Sequence, residues 1–218
     1  MALRWSLGHG VEVAYSLAAH GDQRDPALRA AFATPLLGQR RLVVPRQVHG
    51  ITVAAAEAQD LSAADGVVTA DPLLALGAYG ADCPGVVLAA PDALGVAHCG
   101  WRGTAGGMVA RLAAEVASRS AHPPHAWHAL IGPGISGPRY EVDAPVLSAR
   151  AWPTAALAPA RDVQRAHLDL VTALHSDLHA IGVSHISTPR VCTADDPRLH
   201  SFRHQGAGLV QLLVAWRA

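Results

Sequence analysis

Two histidines and one cysteine are the residues of this chain whose types could do metal chemistry together. They are His49 in the segment RQVHG, Cys83 in ADCPG and His98 in VAHCGWRG. Catalytic zinc commonly has three protein ligands of these types, and its fourth tetrahedral position is left for water or substrate. Each residue stands in a turn-rich segment beside an apolar run, so the three side chains can project from strand ends into one pocket. The sequence therefore predicts a catalytic metal site.

The spacing leaves a second chemistry open for Cys83 and His98. His98 follows Cys83 by fifteen residues, across a predicted pair of strands, which places the two side chains within mutual reach. A cysteine beside a histidine also forms a nucleophilic dyad.

Directly after His98, the glycine-rich turn 100–107 carries Arg102 and leads into an amphipathic helix. Free helix N–H groups and a guanidinium favour a bound anion, although such a turn can also be a simple connection with a surface arginine.

Composition narrows the reaction classes. All seventeen cationic side chains are arginine, so Schiff-base catalysis by lysine and a Walker-type phosphate lysine are excluded. The chain also lacks asparagine and any His-Glu-x-x-His motif. Seventeen acidic residues balance the arginines, which argues against nucleic acid and favours a small or neutral partner. Three cysteines argue against a disulfide framework, and the absence of a signal-like or membrane-length apolar segment predicts a cytoplasmic protein without a membrane partner.

Other histidines and cysteines mimic functional patterns. His122, His125 and His128 repeat at every third residue in a proline-rich loop, and we expect them to be solvated. His175 and His179 are spaced i, i+4 and are expected on the polar face of a helix. We interpret Cys99 and Cys192 as packing or loop residues, and Asp65, in ADGVVT, as a structural turn residue before a strand.

Short apolar runs and two helical patterns define the predicted fold. The helices are expected at 108–118 and 168–181, where apolar residues recur near a period of 3.6. The predicted strands are 41–45, 51–56, 66–69, 85–89, 94–98, 127–131, 184–187 and 209–216. Because helices and strands do not alternate regularly and no linker or repeat interrupts them, the pattern predicts one mixed α+β domain over residues 1–218.

Several motifs in a fixed order resemble a known family. They are RQVHG at 46–50, ADGVVT at 64–69, ADCPGVVL at 81–88, VAHCGWRGTAGG at 96–107, IGPGIS at 131–136, YEV at 140–142, HLDL at 167–170 and CT at 192–193. This series, which covers most of the chain, resembles the YfiH-type laccase-domain family, also called the polyphenol oxidase family, which includes purine nucleoside phosphorylases. The resemblance implies a single-domain layered αββα sandwich of the YfiH-like type.

The resemblance also implies a function. It implies zinc bound by His49, Cys83 and His98, phosphorolysis of adenosine, inosine and S-methyl-5′-thioadenosine, and deamination of adenosine. The partners are then purine nucleosides and phosphate, and the chain is expected to be a monomer or small homo-oligomer. Three alternatives stay open: a copper polyphenol oxidase, a Cys83–His98 amidase acting on cell-wall precursors, and a non-catalytic binding protein.

Roles for further residues complete the prediction. We expect His49, Cys83, His98 and Asp82 to be catalytic, with Asp82 or a metal-bound water carrying protons. Substrate or phosphate is expected to contact Arg46, Gln47, Arg102 and Arg203. The sequence departs from the family near its N-terminus, at 7–11 and 16–20, and near its C-terminus, at 201–206, where Phe202 stands in place of tyrosine and the usual acidic residue is missing.

Overall fold

A computed structural model describes residues 2–218, which form fourteen strands and six α-helices. The helices are α1 (Pro26–Leu37), α2 (Trp101–Ala105), α3 (Met108–Ala117), α4 (Ala144–Leu147), α5 (Leu170–Ala180) and α6 (Phe202–Gln205). The strands are β1 (Leu3–Leu7), β2 (Val11–Tyr15), β3 (Arg41–Val43), β4 (Val53–Ala55), β5 (Gly66–Thr69), β6 (Leu74–Gly80), β7 (Gly85–Ala89), β8 (Leu94–His98), β9 (His128–Ile131), β10 (Glu141–Val142), β11 (Leu157–Pro159), β12 (Ala166–Leu168), β13 (His185–Ser187) and β14 (Gln211–Arg217).

Two large sheets pack face to face. One has five strands in the order β1-β2-β14-β6-β3, and the other has six in the order β13-β9-β7-β8-β5-β4. A smaller sheet, β10-β12-β11, lies to the side with its own cluster of buried residues. Most neighbouring strands are antiparallel, whereas β3 with β6, β4 with β5 and β9 with β13 are parallel.

The alternation of side chains along the central strands explains the layers. In β14, Leu213 belongs to the core between the two large sheets, whereas Leu212 and Val214 face α1. In β7, Val87 lies between the sheets and Val86 faces the opposite way, into the core that α3 and α5 cover. Because successive side chains of a strand point to opposite faces, both faces of these two strands are buried. The result is helix, sheet, sheet, helix, which confirms the predicted αββα sandwich.

The covering helices have clear sequence causes. Helix α3 buries the apolar stripe Met108, Val109, Leu112, Ala113 and Val116 against the six-stranded sheet. Asp25 caps the N-terminus of helix α1 with its carboxylate, which accepts hydrogen bonds from the Ala27 and Leu28 N–H groups, and Gly38 follows the last residue of the helix. Within residues 2–218, no helix is both long and apolar enough to cross a membrane.

The central strands agree best with the sequence prediction. Strands 66–69, 85–89 and 94–98 have the predicted bounds, whereas 41–45, 51–56 and 127–131 are shorter than predicted and 209–216 is shifted to 211–217. The helix predicted at 168–181 begins only at Leu170, because residues 166–168 pair as β12. Strands β1, β2 and β6 and helix α1 were not predicted. In β6, Gly77 lowers the strand propensity of the segment and so hides the strand in the sequence. The glycine is needed because of close packing: a Cβ at this position would lie 3.0 Å from side-chain atoms of Leu212 and Val44.

Candidate metal centre

One strand end and two loops bring His98, Cys83 and His49 together. His98 is the last residue of β8, Cys83 lies in the connection from β6 to β7, and His49 lies in the loop between β3 and β4. Gly85 pairs directly with His98, so Cys83, two residues earlier, lies beside the histidine. One nitrogen of each histidine and the Cys83 Sγ all lie within 4.8 Å of one another. The two imidazole rings are perpendicular, with centroids 4.8 Å apart.

Asp65 organises both histidines. Its fully buried carboxylate accepts hydrogen bonds from three consecutive backbone N–H groups, those of Val48 at 3.1 Å, His49 at 2.9 Å and Gly50 at 2.8 Å. The same carboxylate contacts His98 Nδ1 at 3.1 Å. This contact leaves His98 Nε2 for the pocket, which is how carboxylates orient metal-binding histidines. His49 has a left-handed backbone with φ of 61°, and the three N–H groups curled around Asp65 hold that conformation.

Asp65 has a contact that the sequence interpretation does not include. It precedes β5 and holds the 48–50 loop, as expected of a structural turn residue, and its carboxylate also contacts His98 of the candidate metal group. A signal was present: Asp65 directly precedes β5, whose first residue pairs with Ala97 of β8, so the aspartate stands beside His98. The pairing of β5 with β8 is not visible in a single sequence.

The charges of the cluster support one another. Burial opposes the ionised form of Asp65, but hydrogen bonds from His98 and the loop amides lower its pKa to about 2. Burial opposes protonation of His98, but hydrogen bonds with Asp65 and Cys83 raise its pKa to about 9. Burial likewise opposes the Cys83 thiolate, and hydrogen bonds from His49 and His98 lower its pKa to about 7. The cluster therefore stabilises the thiolate that a soft metal ion requires.

The donor set fits a soft or borderline metal ion. Two imidazole nitrogens and one thiolate suit zinc and also copper. In a tetrahedral zinc site with bonds of about 2.0–2.3 Å, ligand atoms are about 3.3–3.8 Å apart. The cluster is slightly wider, and His49 is the member of the three whose side chain is exposed. Gly100 packs against the group: a Cβ there would lie 2.8 Å from Cys83 Sγ.

A mostly apolar pocket of about 300 Å³ opens over the three residues. It is lined by Gln47, His49, Tyr79, Gly80, Ala81, Cys83, His98, Phe202 and Val210. Phe202 is 60% exposed at the start of α6, so its ring forms part of the rim. The Gln47 amide is hydrogen-bonded to both backbone groups of Tyr79, at 2.7 and 3.0 Å, so it fixes the 46–49 loop to β6.

Asp82 joins three segments beside the pocket. It is buried, has a left-handed backbone with φ of 90°, and accepts hydrogen bonds from Thr193 Oγ1 at 2.6 Å and the Arg203 N–H at 2.7 Å. Each carboxylate oxygen thus has a donor. The guanidinium of Arg203 lies over the Tyr140 ring and donates to the Glu141 carbonyl at 2.7 Å.

The other predicted anion-binding arginines lie apart from one another. Arg102 is in α2, a short helix that occupies much of the predicted turn, and its guanidinium stacks on Trp101 at 4.3 Å. Arg46 precedes His49 in the chain, but its side chain lines a neighbouring groove instead of the metal pocket.

The remaining histidines and cysteines take several positions. His175 and His179 are exposed on α5, and Cys99 is fully buried in the core between the six-stranded sheet and helices α3 and α5. His128 is half-buried and stacks on His185 rather than facing solvent alone. Over the described residues 2–218, His49, Cys83 and His98 form the single His, Cys, Asp or Glu group arranged to hold a metal ion.

Comparison with protein families identifies a match over residues 20–216. The matching family model is described as multi-copper polyphenol oxidoreductase laccase. This match and the structural neighbours confirm the resemblance inferred from the motifs.

Related sequences carry consistent names. A Deinococcus radiodurans protein named purine nucleoside phosphorylase is 38% identical over 154 residues, which are 68% of this chain and 59% of that protein. A Corynebacterium glutamicum protein named purine nucleoside phosphorylase is 32% identical over 191 residues, 83% of this chain and 76% of the relative. The chain thus spans less than two thirds of the Deinococcus protein.

Solved structures share the fold. YlmD from Geobacillus stearothermophilus superposes with a TM-score of 0.87 at 25% identity, over 99% of this chain and 96% of that one. A Neisseria meningitidis protein gives a TM-score of 0.87 at 23% identity, over 99% of this chain and 98% of that one. The second likeness supports the fold alone.

Proposed function

Because the chain belongs to the multi-copper polyphenol oxidoreductase laccase family, whose relatives include proteins named purine nucleoside phosphorylase, we propose that it is a zinc-dependent purine nucleoside phosphorylase. Adenosine, inosine and S-methyl-5′-thioadenosine are the proposed substrates, with deamination of adenosine as a second activity. The observation that carries the proposal is the convergence of His49, Cys83 and His98 at an apolar pocket of about 300 Å³. That volume suits a small heterocyclic ligand.

The chain's own residues have distinct tasks in this proposal. His49, Cys83 and His98 would hold the zinc ion, which supplies Lewis acidity and an activated water when bound. Asp65 orients the His98 ring and holds the His49 loop. The Phe202 ring at the rim offers a flat apolar face to a purine base and excludes water from one side.

Phosphorolysis requires an oxygen of phosphate to bond to the ribose anomeric carbon while the bond to the purine nitrogen breaks. The departing base gains a proton, and Asp82, next to Cys83, stays our predicted proton carrier. Arg203 is anchored beside Asp82 through its backbone and through Tyr140, which suits it to contact phosphate or a ribose hydroxyl.

One observation favours a second function. Hydrogen bonds from both histidines lower the pKa of the Cys83 thiol to about 7, which also suits a nucleophile in a hydrolase acting on amides. The copper oxidase alternative is less well supported, because Met108, a possible axial ligand, is the first residue of α3 and packs into the core against the six-stranded sheet, away from the metal pocket. Met1 lies outside the described residues.

The test is a chromatographic assay of the zinc-loaded protein with inosine and adenosine, with and without phosphate. Phosphate-dependent hypoxanthine release supports phosphorolysis, and inosine formed from adenosine supports deamination. We expect C83A to abolish both, and C192A, which removes a half-buried cysteine elsewhere, to retain them. Zinc-loaded protein that leaves both nucleosides intact would overturn the proposal. Activity that survives chelators but is lost on alkylation would instead favour the Cys83 nucleophile.

A further inference from the structure

A second cavity, the arginine groove, lies next to the metal pocket. It has a volume of about 390 Å³ and is lined by Arg24, Arg29, Leu42, Val44, Pro45, Arg46 and Tyr79. Three guanidiniums thus share one concave surface, and no carboxylate is among the lining residues. Since the chain as a whole has no net charge, this concentration of positive charge is local. Because like charges repel, a group of arginines that line one concave surface is typical of a surface that binds an anion.

The partners of the three arginines differ. Arg24 is paired with Asp22 at 2.7 Å, which balances one of the three charges. Arg29 is half-buried and held by neutral acceptors, the Gln23 carbonyl at 3.2 Å and the Tyr79 hydroxyl at 2.5 Å. Among residues 2–218, the exposed side chain of Arg46 has neither a hydrogen bond nor an ion pair. Two guanidiniums therefore face the groove without a counter-charge.

The groove adjoins the metal pocket through two features. Tyr79 lines both cavities. Along the 46–49 loop, Arg46 lines the groove while Gln47 and His49 line the metal pocket. The two hydrogen bonds between the Gln47 amide and the Tyr79 backbone, one donated by each residue, fix that division. A ligand with an apolar body and an anionic end can therefore contact both cavities.

From these observations we propose that Arg24, Arg29 and Arg46 form a binding site for a phosphate group. A phosphate dianion matches the two unbalanced guanidiniums in charge, and planar guanidinium forks suit phosphate oxygens. Arg29 is already fixed by its hydrogen bonds, so little side-chain entropy is lost when it binds. The phosphate arrives either as the inorganic ion or as the ester of a nucleoside 5′-monophosphate whose base lies in the metal pocket. The nucleotide alternative rests on the proposed purine specificity of the metal pocket, whereas the phosphate site itself rests on the groove's geometry and does not require phosphorolysis.

The experiment measures binding of inorganic phosphate and of adenosine 5′-monophosphate, with adenosine as the reference without phosphate, by calorimetry at constant ionic strength and without turnover. Arg46→Gln is the informative variant because the Arg46 side chain supports no other residue. We expect it to raise the phosphate dissociation constant about tenfold, which corresponds to ~1.4 kcal/mol. Arg111→Gln is the matched control: it makes the same charge change at an exposed position of α3, on the opposite face, and should alter the constant less than about twofold.

The two ligands distinguish the sources of the phosphate. If R46Q weakens adenosine 5′-monophosphate but not adenosine, the groove holds a phosphate ester; if it weakens only inorganic phosphate, the groove holds the free ion. Both results support the site. Equal affinities of wild type and R46Q for both phosphate ligands would overturn it. Because no reaction is followed, that failure is distinct from a failure to cleave nucleosides.

Discussion

Replacing Asp65 by asparagine isolates the residue that positions the candidate metal ligands. The substitution keeps the size of the side chain but replaces one carboxylate oxygen by an NH2 group. Each oxygen now accepts two hydrogen bonds: Oδ1 from His49 N and His98 Nδ1, and Oδ2 from Val48 N and Gly50 N. An NH2 group at the Oδ2 position leaves the Val48 and Gly50 N–H groups without an acceptor. At the Oδ1 position it leaves the His49 N–H without one, and His98 Nδ1 must lose its proton to accept from the amide.

The magnitude follows from those lost hydrogen bonds. Leaving a buried donor unsatisfied costs about 1–3 kcal/mol, so one or two of them cost about 1–6 kcal/mol of unfolding free energy. The His98 ring also loses the acceptor that fixes its orientation, and loss of such a partner weakens metal binding by about 10–100-fold. The two effects share one cause, because the same carboxylate holds the loop and the ring.

Denaturant unfolding and zinc titration against a competing chelator measure the two effects. Asp169→Asn is the control, since Asp169 caps α5 by accepting from Thr172 and lies outside the metal pocket. We expect it to cost less than about 0.5 kcal/mol of stability, because asparagine caps a helix about as well as aspartate, and to leave zinc affinity unchanged. If D65N binds zinc within about twofold of wild type and unfolds at the same denaturant concentration, the positioning role of Asp65 is wrong.

Three further predictions concern the metal, the pocket rim and the histidines of β9. Chelation should lower the unfolding midpoint and zinc should restore it, because an ion at 100 times its dissociation constant adds about 2.7 kcal/mol; C83A should show no such response. Phe202→Ala should raise the KM for inosine about two- to tenfold, the value of one aromatic stack, with Phe202→Tyr near wild type; an unchanged KM in F202A excludes stacking. Burial and the neighbouring His185 and His9 lower the pKa of His128 below its usual value of about 6.5. Neutral His128 therefore stabilises the fold in full above about pH 6.5, and this stabilisation is lost as the pH falls through the lowered pKa. H128Q should therefore flatten the pH dependence of unfolding between about pH 7.5 and 5, and an unchanged slope would contradict this.

Local patterns were sufficient for the central strands and their ends. Strands β5, β7 and β8 are valine-rich runs bounded by turn residues, and they are buried on both faces, so burial and propensity agree. The hairpin of β1 and β2 is different. Its outer strand alternates half-buried and exposed residues, and β2 is stabilised by pairing with β14, almost two hundred residues later in the chain. Such long-range pairing leaves little trace in local sequence.

The sequence by itself determined which residue types could bind a soft metal ion and that they stand at turns beside strands. That follows from side-chain chemistry and short-range patterns. Only the tertiary structure decided that Asp65 holds both histidines, that Gln47 is engaged with Tyr79, and that Arg46 joins Arg24 and Arg29 in a separate groove. The reason is physical: hydrogen-bond partners and local charge depend on which distant segments pack together, and strand order sets that packing.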